Sequence, residues 1–233
     1  MVLALKNQTK KKKATIKPRD AATLILVRFD GPSPRILMGQ RHEGHAFMPN
    51  KFVFPGGRCE TADGLLPVVN EGEPVTLQKL QLRMGTKPSH RKARGLIVAA
   101  LRETFEETGL LVGRATAGAA PDLKGLIYFA RAITPPGRSR RFDSRFFVAN
   151  ADIVSNLDAP HPLENDELLR ISWVTMTEAL ELNLPSITRE ILLLLQPCLM
   201  QNRLPPAACP VSFQYSRGKS WRVEQLNLTF GTG

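Results

Sequence analysis

The chain has 233 residues, 42% of them hydrophobic, and a formal net charge of +11. That size suits one elaborated domain, and the apolar content is enough for an ordinary core. No apolar run, residues 191–195 included, approaches the 18 or so residues of a membrane-spanning helix. No secretory apolar segment follows the basic N-terminal residues. Cys59, Cys198 and Cys209 are odd in number and form no Cys-x-x-Cys, so they read as ordinary thiols rather than a disulfide framework or zinc site.

The excess charge is uneven. Residues 1–20 hold seven basic side chains against Asp20. Residues 1–19 read as a disordered, solubilising basic arm; attraction of an anionic polymer is the competing reading.

After the arm, residues 21–29 form an apolar, partly β-branched run, a turn follows at 30–34, and 35–40 reads as a second strand. His42 and His45 come next; on a loop they read as structural or substrate-facing rather than metal-binding. A short strand at 52–54 runs into Pro55-Gly56-Gly57, where two glycines permit close approach of another group. Residues 58–95 read as an insertion of loops with one amphipathic helix near 75–82.

A helix then begins near 89–93 and ends at Gly109. Downstream, 125–133 and 142–149 are strand candidates, joined by a loop carrying Arg138, Arg140 and Arg141. A short strand at 171–174 leads into a helix over 175–182 with Thr175 or Thr177 at its start. Residues 186–200 read as an amphipathic helix interrupted by Pro197, and β character returns near 221–228.

The helix ending at Gly109 carries the chemistry. Glu103, Glu106 and Glu107 stand at i, i+3 and i+4, so their carboxylates share one face and repel. Arg102 projects about 100° away around the helix, and a hard divalent cation with oxygen ligands is the better candidate to offset the repulsion. A solvated acidic face is the plain alternative.

The spacing Gly57, five residues, Asp63, and later Arg102-Glu103-Thr104-Phe105-Glu106-Glu107-Thr108-Gly109-Leu110 resembles the signature of the Nudix hydrolases. Asp63 stands where that signature has Glu, and Thr104 replaces an aliphatic residue. Residues 64–101 separate Asp63 from Arg102 where the signature has a short spacer. A long insertion there resembles one branch, the peroxisomal-type coenzyme A diphosphatases and their bacterial relatives. Residues 133–137, 141–147, 173–174, 178–180 and 184–188 look like that branch as well.

The resemblance implies an α/β (α+β) fold, an α/β/α sandwich with a mixed sheet. The domain would span 20–200 with its insertion at 58–95, and a C-terminal extension, 201–233, would pack on it. It implies Mg²⁺ or Mn²⁺ held by Glu106 and Glu107 with Glu103 assisting and the Gly57 carbonyl completing the set. Arg102 would orient a glutamate. The general base is sought in the acidic loop, at Glu167 or Glu164. Arg41, Arg138, Arg141 and Arg145 are the candidate phosphate ligands, since guanidinium pairs bidentately with phosphate oxygens.

The implied reaction is metal-dependent hydrolysis of a nucleoside diphosphate linked to another moiety. Coenzyme A or acyl-CoA is the preferred substrate, giving 3′,5′-ADP and the 4′-phosphopantetheine product. ADP-ribose, NADH or a nucleotide sugar is the alternative, and a non-catalytic nucleotide- or nucleic-acid-binding protein is the alternative of another class. The expected partner is an anionic nucleotide-type small molecule; nucleic acid is disfavoured, a membrane is not expected and a homodimer is left open. The absence of a peroxisomal tripeptide at Gly231-Thr232-Gly233 points to a cytoplasmic enzyme.

Overall fold

The computed structural model describes residues 16–44, 48–85, 87–158, 168–218 and 220–228. Its centre is a mixed sheet. The strands are β1 (Arg19–Arg28), β2 (Arg35–Arg41), β3 (Phe52–Val53), β4 (Gly56–Arg58), β5 (Ile127–Ile133), β6 (Phe142–Asn150), β7 (Leu168–Thr175), β8 (Val211–Arg217) and β9 (Ser220–Leu226). Their order is β3-β2-β1-β6-β5-β8-β9, with β4 also paired to β1 and β7 to β2. β1 with β6 and β5 with β8 run parallel; the other pairs are antiparallel.

Helices cover both faces, so β1 is apolar on both sides. Ala22, Leu24 and Leu26 pack in the core that includes Leu96, Leu101 and other residues of α2 (His90–Thr108). Ile25 and Val27 pack in the opposite core with Ile191, Leu192 and Leu195 of α4 (Ser186–Leu199). This is the expected α/β/α sandwich with a mixed sheet. α3 (Met176–Glu181) starts in a complete capping box of Thr175 and Glu178. Among the described residues no helix is long and apolar enough to cross a membrane.

The insertion folds back rather than leaving the domain. A 3-10 turn (Ala62–Leu65) lies against α2, and α1 (Pro74–Gln81) buries Leu77 and Leu80 in the core below. The contact between the 3-10 turn and α2 is made glycine on glycine. A Cβ on Gly95 would lie 2.9 Å from the Gly64 nitrogen, and a Cβ on Gly64 would lie 2.9 Å from the Arg91 carbonyl. Buried Lys79 of α1 donates to the Ala207 carbonyl at 2.6 Å and also to the Cys209 carbonyl. One ammonium thus ties the insertion to the segment leading into β8.

Three local expectations change. Pro197 does not interrupt α4, which runs through it to Leu199 at the cost of the one intrahelical bond that a proline cannot donate. Gly56 and Gly57 are not only a turn but a strand, β4, paired with Thr23 and Ala22. The C-terminal segment contributes two strands, not one, and Val211, Phe213 and Leu226 enter the core.

Candidate active site

α2 is built to end at a fixed point. The Ser89 hydroxyl caps its start, accepting from the Lys92 amide at 3.3 Å. Gly109, at φ 70, closes its end in the left-handed conformation. Thr104 is fully buried, but its hydroxyl donates to the Ala100 carbonyl at 2.7 Å. That bond is how a polar residue serves at an apolar position of the signature.

The last two turns carry Glu103, Glu106 and Glu107 to β4. Buried Glu107 accepts from the Gly56 amide at 2.8 Å. Glu103 lies against Gly57 so closely that a Cβ there would meet its carboxylate atoms at 2.3, 2.4 and 2.6 Å. Two carboxylates of one helix therefore rest on two successive glycines of one strand.

Arg102 does more than its helical azimuth predicts. Its guanidinium donates to Glu103 at 3.0 Å and to Glu106 at 2.8 Å, so its length overcomes the angular offset and it offsets the glutamates' repulsion. It also donates to Asp63 at 2.8 and 3.2 Å and to the Arg58 carbonyl at 2.9 Å. Asp63, 1% exposed, accepts from the Glu60 amide at 2.7 Å. The hydrogen bond with Asp63, followed by the charges of Glu103, Asp63 and Glu106, raises the Arg102 pKa against the opposing effect of burial. The insertion thus returns Asp63 to the helix, where it braces the arginine that orients the glutamates.

Cys59 is two residues from Gly57. Burial, then the nearby Asp63 and Asp20 carboxylates, push its thiol up to about 12, so it is protonated at neutral pH and no nucleophile.

The side-chain donors gathered here are three carboxylates, all oxygen, which suits a hard divalent cation. Among the described residues no three His, Cys, Asp or Glu side chains form a ready metal cage. The arrangement is an open face, and the missing Cβ of Gly57 is what lets the Glu103 carboxylate lie against the strand. Mg²⁺ keeps several waters and takes only one or two carboxylates, so an open face fits it.

Next to this face lies a cavity of about 700 Å³. Gly56 belongs to both, lining the cavity and donating to Glu107. Phe54, Phe142, Phe146 and Ile187 supply apolar wall, and Arg41, Lys51 and Arg138 supply cations. Two of the four arginines expected to hold phosphate are therefore here.

The other two are not. Arg145 is 1% exposed and donates to Asp20 at 2.6 Å and to the Asp143 carbonyl at 2.7 Å. The cavity is lined by its neighbours Ser144 and Phe146, which the strand's two-residue period puts on the other face. Arg141 donates to the Thr134 and Ile16 carbonyls at 2.9 and 2.7 Å and braces the loop instead. Glu164, Glu167 and His45 lie outside the described residues. His42 accepts from the Gly44 amide at 3.0 Å, closing its own turn. Lys51 and Trp221, which also line the cavity, were not marked by any motif.

No family model matches the sequence. Among solved structures, the chain is similar to a NUDIX hydrolase from Alicyclobacillus acidocaldarius, with a TM-score of 0.59 and 24% identity over 83% of this chain and 100% of that one. Lower scores relate it to the NUDIX domain of Shewanella oneidensis NrtR, which was solved with ADP ribose (TM-score 0.49, 10% identity, 78% and 88% covered). A MutT NUDIX hydrolase from Burkholderia pseudomallei gives 0.44 at 20% identity, with 76% and 97% covered. The architecture is that of the Nudix hydrolases.

Proposed function

We propose that this chain is a Nudix-type hydrolase that cleaves a phosphoric anhydride bond in a nucleoside diphosphate linked to another moiety. The observation that carries the proposal is the seating of Glu107 and Glu103 on Gly56 and Gly57, with Arg102 locked between Asp63 and the glutamates. A turn of glutamates left to solvent needs no such frame. Coenzyme A or acyl-CoA is the substrate we favour, on the sequence resemblance of the long insertion and the segments after it.

Glu106 and Glu107 would hold Mg²⁺ or Mn²⁺, with Glu103 and the Gly57 carbonyl completing the protein's share. When bound, the ion neutralises phosphate charge and lowers the pKa of a water. The chain's own residues do the rest. Arg102, anchored by Asp63, fixes the rotamers of Glu103 and Glu106, which pre-organises the ligands. Arg41, Lys51 and Arg138 would attract and orient the anionic substrate. The apolar cavity wall would keep bulk water away from it. Glu164 or Glu167 is the proposed acceptor of the water proton.

A substrate panel with Mg²⁺ or Mn²⁺ tests the assignment. Coenzyme A, acyl-CoA, ADP-ribose, NADH and a nucleotide sugar are offered to the full chain, and products are resolved by chromatography. Release of 3′,5′-ADP from coenzyme A is the expected result. Rapid ADP-ribose cleavage without coenzyme A turnover would replace the favoured substrate. Turnover of none would sink the hydrolase reading.

A further inference from the structure

We propose that the Trp221 indole is a stacking platform for the nucleobase of the substrate, so that the C-terminal hairpin supplies a substrate-recognition residue. The inference deepens the hydrolase reading and rests on it for the substrate class. Its basis is the position of Trp221 at the cavity and what surrounds it.

The last two strands extend the sheet beyond β5. Ala132 of β5 pairs with Gln214 of β8, and Ser216 of β8 pairs with Trp221 of β9. Strand alternation fixes which way Trp221 faces. Val211, Phe213 and Tyr215 pack toward the core beneath α2. Ser216, and with it Trp221 directly opposite, therefore projects from the face that carries α4 and the cavity. Trp221 lines the cavity together with Ile133, Thr134 and Arg138.

The residue is 42% exposed. The hairpin buries its apolar groups on the other face, where Phe213 and Tyr215 stack at 4.8 Å between ring centroids. Trp221 is thus not needed as an apolar anchor for the hairpin. It sits where a flat, exposed π-surface borders a cavity lined by cations.

Those features match two parts of one ligand. Arg41, Lys51 and Arg138 suit phosphate, and a large aromatic face suits a base, which stacks without needing any particular hydrogen-bond pattern. About 700 Å³ is ample for a nucleotide. The acidic face at Gly56 lies at one border of this cavity and Trp221 at another. A nucleotide stacked on Trp221 would run past Arg138 toward Gly56, with Arg41 and Lys51, on and beside β2, beyond it.

The chain has two tryptophans, which makes the test direct. In Trp173→Phe, Trp221 is the sole indole, and its fluorescence is followed in the full chain without added metal. AMP is expected to quench it, and ribose 5-phosphate, which has no base, is not. In Trp221→Ala the Kd for AMP, measured by calorimetry, is expected to rise about 5- to 150-fold, the range carried by one base–aromatic stack. Trp221→Phe should keep most of the affinity. Val223→Ala, on the same exposed strand, should leave it unchanged and so controls for damage to the hairpin.

Three results overturn the proposal. They are an unquenched Trp221, an AMP affinity that Trp221→Ala leaves alone, or quenching by 4′-phosphopantetheine and not by AMP. Equilibrium binding of AMP needs no turnover, so this test is separable from the hydrolase reading. A dead substrate panel with intact AMP stacking would reject the reaction and keep the platform; active turnover with no effect at Trp221 would do the reverse.

Discussion

Gly57→Ala separates the site from the fold. The added methyl would lie 2.3 to 2.6 Å from three atoms of the Glu103 carboxylate. Ordinary contact begins near 3.4 Å, so the carboxylate must retreat by about 1 Å. Glu103 is the far end of a flexible side chain and can swing aside, which leaves β4 and α2 in place. Stability should therefore change little, by about 1 kcal/mol or less. A ligand displaced by about 1 Å, however, costs on the order of 100-fold in rate. The neighbouring glycine gives the contrast. A Cβ on Gly56 would meet the Ala22 carbonyl oxygen at 2.4 Å and the Thr23 Cα at 2.7 Å, at φ 153. Backbone cannot step aside as a carboxylate can, so Gly56→Ala should lower Tm and activity together. Thermal unfolding and Mg²⁺-dependent turnover of both variants check the pair. Full activity in Gly57→Ala would refute the reasoning.

Other outcomes follow from the frame around α2. Asp63→Ala leaves the Arg102 guanidinium without its strongest partner. It should cost about 2 kcal/mol, less than a fully buried pair because Arg102 is partly exposed, and should cut kcat more than it raises KM. Chemical denaturation and steady-state kinetics measure the two. Lys79→Met removes the donor to the Ala207 and Cys209 carbonyls. It should destabilise by about 1–3 kcal/mol and speed amide exchange in β8, read by mass spectrometry. Asp20 is subject to burial, which raises its pKa, but the Lys92 hydrogen bond and the Arg145 charge outweigh that and hold it below 3.8. A depressed carboxylate contributes stability above its unfolded pKa and loses it as pH falls through the folded one. Asp20→Asn should therefore flatten the fall in stability below about pH 4 seen on acid titration.

The sequence made the acidic face legible because helical spacing alone puts Glu103, Glu106 and Glu107 together. The glycine partner was legible too, since Gly56 and Gly57 admit a close approach that other residues block. The role of Asp63 was not. Its return to Arg102 depends on the Gly64–Gly95 contact, which joins an insertion to a helix far along the chain. The placement of Arg141 and Arg145 away from the cavity was hidden for another reason. Arg145 and Arg138 are alike as residue types, but register with β1 sends Arg145 toward Asp20, beneath α2. The alternation Val211, Phe213, Tyr215 did carry a strand signal for β8. The tertiary step, its parallel pairing with β5, is what brought Trp221 to the cavity.

Glu107→Gln is the most direct test of the central claim. The amide keeps an oxygen that can accept from the Gly56 N–H, so the frame should survive. What is lost is the negative charge that a divalent cation needs. The measurement is kcat at saturating Mg²⁺ on the best substrate of the panel, with the thermal midpoint as control. Our account predicts a fall of at least about 100-fold with the fold intact, in line with losing one electrostatic group of a reaction centre. Turnover equal to that of the unmodified chain would contradict it and remove this helix from the chemistry.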